Sequence, residues 1–477
     1  MEKSSTFRSQ DQKPPHVAIF PSPGMGHLIP VVELAKRLVV HHNINVTFIV
    51  PNDGSTMEPQ KKLLQALPKP MISSIFLPQM SFDDLPADSV NETRIALSVT
   101  RSVPALRQSL KALTESTRLV ALVVDMFCLD AFDVAKEFNV LPYMFTFYNA
   151  LVLSLAFHLP KLDETTTCEY KDLPKPVKLP GCVPVHGRDL GDPAQDRKHT
   201  IYKVLLNISK RSYEAAGIIV NSFLDLEPGA LKALKEGFYN NPPVYPVGPV
   251  VQTGSSSSDP CLSWLDKQPK GSVLFVSFGS GGTLSQDQMT ELALGLEMSG
   301  ARFFWVAKSP HEKTAARFFS VESNEDPFDY LPKGFLERTK DVGLVVSTWA
   351  PQVQVLSHGS TGGFLSHCGW NSALESIVHG VPLIAWPSYA EQRTNAVLLA
   401  DDVKVAIRVK VNDKGLVGRE EISGRVRELM EGELEGKLIR ARVKELKDKA
   451  CLALSKEGSS TKSLAEIAQV WVNNCQP

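Results

Sequence analysis

The feature that most constrains this chain is a rhythm that runs twice. Short apolar runs rich in Val, Ile and Leu alternate with amphipathic helical stretches, and the alternation breaks once near the middle. In the first half, His16–Phe20, Val46–Val50, Leu119–Asp125, Tyr143–Phe147 and Gly217–Val220 predict strands. Helical patterns such as Leu28–Val39 and Ala131–Phe138 lie between them. The runs are continuously apolar, as strands buried on both faces require, so parallel sheets covered by helices are expected. The break is Asn240–Val251, with four prolines, followed by the Gly/Ser run Gly254–Asp259. Proline stiffens a spacer and Gly/Ser loosens it, which makes this stretch the expected linker. The rhythm then restarts with strands over Ser272–Phe278, Arg302–Ala307, Gly343–Ser347, Gly363–Ser366 and Pro382–Ala385, and helices over Asp287–Ser299 and Asn371–His379.

A chain of 477 residues is too long for one ordinary core. The expected class is therefore α/β, with two doubly wound, Rossmann-like domains facing each other across a cleft. The expected divisions are a polar leader (1–15), a first domain (16–248), a linker (249–260), a second domain (261–459) and a C-terminal helix (460–477). In that last segment Leu464, Ile467, Ala468 and Trp471 form an apolar stripe, expected to pack back on the first domain. Ser309–Asp329 is polar and pattern-free, as a long surface loop would be. Ligands of open α/β sheets bind at the C-terminal strand ends, so the cleft is where chemistry is expected.

Composition narrows the partners. Lys+Arg (51) and Asp+Glu (52) nearly cancel, so no overall basic surface is offered to nucleic acid. Met1–Pro15 lacks the apolar core of a signal peptide, and Leu119–Val124 and Val381–Trp386 are far short of a membrane span. The seven cysteines form no CxxC pair and are odd in number, which fits free thiols in a reducing compartment. A cytoplasmic location is expected, and the glycosylation triplets at Asn45, Asn91 and Asn207 are then incidental. Nothing fixes an oligomer, and a monomer is the default.

Two sites carry chemistry. Pro21–His27 (PSPGMGH) follows the first strand, and Gly24 and Gly26 permit a tight turn into the next helix. His27 then stands at the sheet's C-terminal edge and at a helix N-terminus, which disfavours its protonated form and suits a general base. Asp125 ends another strand at the same edge and is a candidate to orient that imidazole, with a simple helix N-cap as the alternative. GxSxG is absent, so the pair looks like a base and its orienter rather than part of a hydrolase. In the second half, Phe278–Leu284 (FGSGGTL) allows close backbone approach to phosphate. It fails GxGxxG at Leu284, and the first turn fails it at Ile29, which argues against a nicotinamide oxidoreductase. Ser366–Ser372 (SHCGWNS) leads from a strand into a helix whose open N–H groups suit a diphosphate. His367–Cys368 has no second ligand pair at metal spacing, so no metal is expected.

The stretch Trp349–Gln392, WAPQVQVLSHGSTGGFLSHCGWNSALESIVHGVPLIAWPSYAEQ, resembles the UDP-sugar box of plant UDP-dependent glycosyltransferases of family 1, with the GT-B fold. The likeness extends from PSPGMGH to the C-terminal helix. His158–Glu164 (HLPKLDE), Leu179–Gly187 (LPGCVPVHG) and Asp192–Lys198 (DPAQDRK) look like the subgroup that glucosylates phenols, including hydroquinone-type and indoxyl-type acceptors. The resemblance implies that Trp349 stacks on uracil, that the Ala350 backbone reads its edge and that Glu375 holds the ribose hydroxyls. It places His367, Asn371, Ser372, Gly279 and Ser280 at the diphosphate, and Glu391, Gln392 and Trp370 at the sugar. Ser22 and Gln352 join the donor set by the same likeness. Glu92, Phe127, Phe147, Tyr148, Asn149 and Tyr389 are acceptor-side candidates. Trp386 reads as a core aromatic. One departure stands out: Tyr148–Asn149 replaces the Thr-Thr or Ser-Thr common in the family.

The resemblance implies metal-free, inverting glucosyl transfer from UDP-glucose to a small aromatic hydroxyl, without a resident cofactor. His367 and a helix N-terminus would neutralise the departing diphosphate. A non-catalytic UDP-sugar-binding protein is the alternative; it would keep the box and lose His27 and Asp125.

Overall fold

The computed structural model describes residues 13–54, 57–82, 84, 91–252, 259–310, 326–347 and 349–474, with the side chains of 91–93 excepted. Two parallel sheets form. The first has strands β1 (Pro15–Phe20), β2 (Asn45–Asn52), β3 (Ile72–Gln79), β4 (Arg118–Val124), β5 (Leu141–Thr146), β6 (Gly217–Val220) and β7 (Val244–Pro246), in the order β3-β2-β1-β4-β5-β6-β7. The second has β8 (Val273–Ser277), β9 (Arg302–Ala307), β10 (Gly343–Ser347), β11 (Thr361–Ser366), β12 (Leu383–Ala385) and β13 (Ala406–Arg408), in the order β10-β9-β8-β11-β12-β13. The chain reverses direction of winding beside β1 in one sheet and beside β8 in the other. Ligand crevices of α/β sheets open at such switch points.

Helices cover both faces, as the continuously apolar strands demanded. Val17, Ile19, Val46 and Phe48 pack under the helix Met25–His42, while Ala18, Phe20, Leu122 and Val124 face the helices on the other side. The helix Ser459–Asn473 lies on the first sheet. Its Leu464, Ile467, Ala468 and Trp471 are buried, with Trp471 edge-on to Tyr143 at 5.2 Å between centroids. Ser460 Oγ donates to Gly248 O at 2.5 Å, and Arg118 Nη2 to Val472 O at 2.5 Å.

Three strands, β3, β7 and β13, were not among those expected, and all three are sheet edges. Edge strands face solvent on one side and are short or interrupted, so their apolar signal is weak. β3 reads ISSIFLPQ and is half exposed. β7 lies inside the proline-rich stretch, ahead of the expected linker 249–260 and within the expected first domain. Val244, Val247 and Val250 are buried, so the prolines shape an edge rather than a free spacer. The Ser run at 253–258 and most of the loop expected over Ser309–Asp329 fall outside the described residues. β4 stops at Val124 and β5 at Thr146, so Asp125 and Phe147 stand just past strand ends, on the cleft edge.

Candidate active site

The first turn positions a base. Gly24 has φ 119°, a conformation that favours glycine, and hands the chain to the helix Met25–His42 with His27 in its first turn. Ser22, 2% exposed, sits between His27 and Asp125. Its Oγ is 2.5 Å from His27 Nδ1 and donates to Asp125 Oδ2 at 2.6 Å, while its backbone N–H donates to the same oxygen at 2.8 Å. The direct His27 Nδ1 to Asp125 Oδ2 distance is 3.4 Å. Ser22, expected in the donor set, is thus engaged with His27 and Asp125 instead of standing free. A carboxylate only accepts, so the Ser22 hydroxyl points at Asp125 and receives the Nδ1 proton of His27. Nε2 has no hydrogen-bond partner among the described residues.

Asp125 fills both roles that the sequence left open. Its Oδ1 caps the short turn Met126–Cys128 by accepting from Phe127 N at 3.0 Å, and its Oδ2 serves Ser22 and His27. Burial pushes its carboxyl up, but the hydrogen bond and charge of His27, with Ser22, outweigh that and hold it below the usual carboxylate range. Phe147 and Phe127 flank the imidazole at 4.2 and 5.7 Å between centroids, an apolar wall beside it.

The facing domain supplies the other wall. The helix Trp370–His379 opens after Gly369 without a side-chain cap, and Asn371 Nδ2 donates across the cleft to Gly26 O at 2.9 Å. Gln352 Nε2 donates to Ser372 Oγ at 2.9 Å and to Glu375 Oε2 at 2.7 Å, gathering three box residues. Burial raises the Glu375 carboxyl to about 7, against the pull of Gln352. Trp349 is 69% exposed, an open ring face, and Ala350 is buried behind it. His367 is wedged between two glycines: a Cβ on Gly279 or Gly369 would lie 2.5 Å from its Nε2. Burial, then the Lys308 charge, lower its pKa to about 4. Both influences disfavour the positive charge that the sequence suggested for His367.

Four other expected contacts change. Trp370 is 2% exposed and its indole N–H donates to Asn221 O at 2.7 Å, so its polar atom joins the two domains rather than meeting a sugar. Asn149 is fully buried. Its Oδ1 caps the helix Ala150–Thr165 through Val152 N at 2.9 Å, and its Nδ2 donates to Asn395 Oδ1 at 2.7 Å, leaving nothing for an acceptor. Tyr148 is buried as well and forms the floor. Tyr389 lies 6.2 Å from the His367 ring, beside a residue expected at the diphosphate rather than among the acceptor candidates. The Glu92 side chain lies outside the described residues. Trp386 is buried edge-on against Phe278.

At the sugar end, Glu391 Oε1 accepts from Asn395 Nδ2 at 3.1 Å. Burial raises its carboxyl, against the pull of the Asn395 hydrogen bond and of the His27 charge. Gln392 is 2% exposed and turns its Oε1 to Ser388 N and Tyr389 N, leaving Nε2 as its remaining donor. Asn395 and Lys308 were missed from the sequence. Asn395 follows the box by three residues, one helical turn from Glu391, and that spacing was a usable signal.

The family model UDP-glucoronosyl and UDP-glucosyl transferase matches residues 250–435. Hydroquinone glucosyltransferase of Rauvolfia serpentina is 59% identical over 463 residues, covering 96% of this chain and 98% of the relative. The chain belongs to the UDP-glycosyltransferase family. A Polygonum tinctorium UDP-glucosyltransferase capable of glucosylating indoxyl, in complex with 3,4-dichloroaniline, superposes with a TM-score of 0.91 at 50% identity, over 97% of this chain and all (100%) of that one. Phytolacca americana UGT2, complexed with UDP-2-fluoro-glucose and pterostilbene, gives 0.89 at 50% identity, over 96% and 100%. The transferase thus has the GT-B fold. Among the described residues, no helix is long and apolar enough to cross a membrane, and no group of three His, Cys, Asp or Glu stands at metal-holding distance.

Proposed function

We propose that this UDP-glycosyltransferase moves glucose from UDP-glucose to the hydroxyl of a small phenol, with inversion and without a metal. The observation that carries the reading is the relay His27–Ser22–Asp125, which engages Nδ1 of the imidazole and leaves Nε2 for the acceptor. The acceptor O–H gives its proton to His27 Nε2 as its oxygen bonds to the anomeric carbon. The bond from that carbon to the β-phosphate oxygen breaks, and its electron pair leaves with UDP. An α-linked donor then gives a β-glucoside. Glu375, Gln352 and Trp349 hold the uridine, and the helix opening at Trp370 receives the phosphates. Phe127 and Phe147 suit a flat aromatic acceptor, and the hydroquinone glucosyltransferase, the indoxyl-glucosylating enzyme and the relative complexed with pterostilbene support that class.

The test is UDP release from UDP-glucose over a panel of phenols, with product mass and anomeric linkage determined. A β-linked glucoside supports the reading. UDP binding without release or product would leave a binding protein instead. Activity is expected to persist in EDTA, because the donor wall is built of backbone N–H groups and neutral donors rather than clustered carboxylates. Loss in EDTA with recovery on adding Mg²⁺ would refute the metal-free step.

Donor choice follows from Glu391 and Gln392. In the family, glutamine at the last box position goes with glucose and histidine there often with galactose. UDP-glucose is expected to exceed UDP-galactose in kcat/KM by at least about tenfold, roughly 1.4 kcal/mol, which one well-placed polar contact supplies. With its Oε1 tied to the backbone, Gln392 reads the sugar through Nε2 alone. Gln392→Ala should collapse the ratio; an unchanged ratio assigns the discrimination to Glu391.

A further inference from the structure

Lys308 is a charged group that the donor site as described so far does not use. It stands one residue past β9, at the same sheet edge as the glycine turn that follows β8. Gly279 there has φ 77°, and the turn presents its carbonyls to the lysine. Lys308 Nζ donates to Gly279 O at 2.7 Å and to Ser280 O at 2.5 Å. Carbonyls are dipoles and bring no net charge. Among the described residues no carboxylate pairs with this ammonium, and burial is the one influence on its pKa, drawing it down to about 8. A half-buried cation without a counter-ion is costly, and proteins normally pair or neutralise it.

The Gly279 that Lys308 grips is the glycine against which His367 is wedged, and the lysine's charge acts on that ring. The same ring meets Gly369, the residue from which the helix Trp370–His379 opens. Cation, glycine turn, imidazole and open helix N-terminus therefore make one electropositive corner. Lys308 brings a full positive charge to this corner, and that charge disfavours protonation of His367.

We propose that Lys308 supplies the charge that balances the diphosphate of the donor, anchored to it through the Gly279–Ser280 turn. This rests on the UDP-sugar reading above. The ammonium polarises the two carbonyls and so the peptide units of the turn that faces the phosphates. Its own field adds to the helix N-terminus. Negative charge grows on the β-phosphate as the glycosidic bond breaks, so the same lysine favours departure as well as binding.

The experiment compares UDP and uridine, which differ only in the diphosphate, by calorimetry on the full-length protein. Lys308→Gln keeps a donor for the carbonyls and removes the charge; Lys308→Arg keeps the charge; Lys308→Met, also neutral, stands in should the Gln variant melt early. The neutral variants are expected to lose roughly tenfold or more in UDP affinity and less than about threefold in uridine affinity, with Arg retaining most of both. Equal losses for the two ligands would mean that the lysine only shapes the turn, and unchanged UDP binding would mean that it has no part; either overturns the proposal. A wild-type protein that binds no UDP would instead overturn the donor reading itself.

Discussion

His27→Ala is expected to cut glucosyl transfer to a weakly acidic hydroxyl by roughly 10²–10⁴-fold while UDP affinity stays near normal, the usual worth of a positioned base. Nε2 is the uncommitted nitrogen of the ring, since Nδ1 is held by Ser22. Removing the ring leaves the Ser22–Asp125 pair at 2.6 Å in place, so the turn keeps its shape. The facing domain is untouched, which is why donor binding should survive. The informative measurement is kcat/KM over acceptors of graded acidity. A phenol that ionises readily brings its own oxyanion and needs the base less, so the loss should shrink along that series. A uniform loss over all acceptors would point to a collapsed pocket and would sink the assignment.

How far the sequence reveals this site depends on the kind of residue. His27 and Asp125 were legible because each follows an apolar strand, and strand ends in a parallel sheet share one edge. The box was legible because its order is rigid from Trp349 to Gln392. What stayed hidden is which atom of a polar side chain is already spent. Nothing in PSPGMGH says that Ser22 bridges His27 and Asp125, 98 residues apart in numbering. Nor does Asn149 reveal that both ends of its amide are consumed, by a helix start and by Asn395 of the other domain. Trp370 is similar, with its indole N–H directed to Asn221. The same limit applies to charge. His367 looks cationic in sequence, and only its enclosure by Gly279 and Gly369 shows why that charge is disfavoured. The edge strands β3, β7 and β13 escaped for the opposite reason, because half-exposed or very short strands carry too little apolar pattern.

Asp125→Asn is the second large effect, expected to lower kcat/KM by roughly 10²–10³-fold through a misplaced proton rather than a lost fold. The carboxylate now accepts from three directions: Ser22 N and Ser22 Oγ at Oδ2, and Phe127 N at Oδ1. A carboxamide cannot do this in either orientation. With its NH₂ toward Ser22, it opposes the Ser22 backbone N–H and reverses the hydroxyl, which then donates to His27 Nδ1. The imidazole is forced to carry its proton on Nε2, the atom that must receive one. With its NH₂ toward Phe127, the relay survives but the Phe127 N–H is left unpaired in a buried site, at a cost of about 1–3 kcal/mol. Ser22→Ala separates the two ideas. His27 Nδ1 already lies 3.4 Å from Asp125 Oδ2, so a small ring movement restores the bond directly. That variant should lose no more than about tenfold, a span of about 1.4 kcal/mol. The measurements are kcat/KM with a weakly acidic acceptor and UDP affinity for each variant. An Asp125→Asn enzyme within about threefold of the parent would show that Nδ1 needs no carboxylate to fix its proton, because a wrong tautomer costs far more than that. It would leave Asp125 with only its role as the cap of Met126–Cys128.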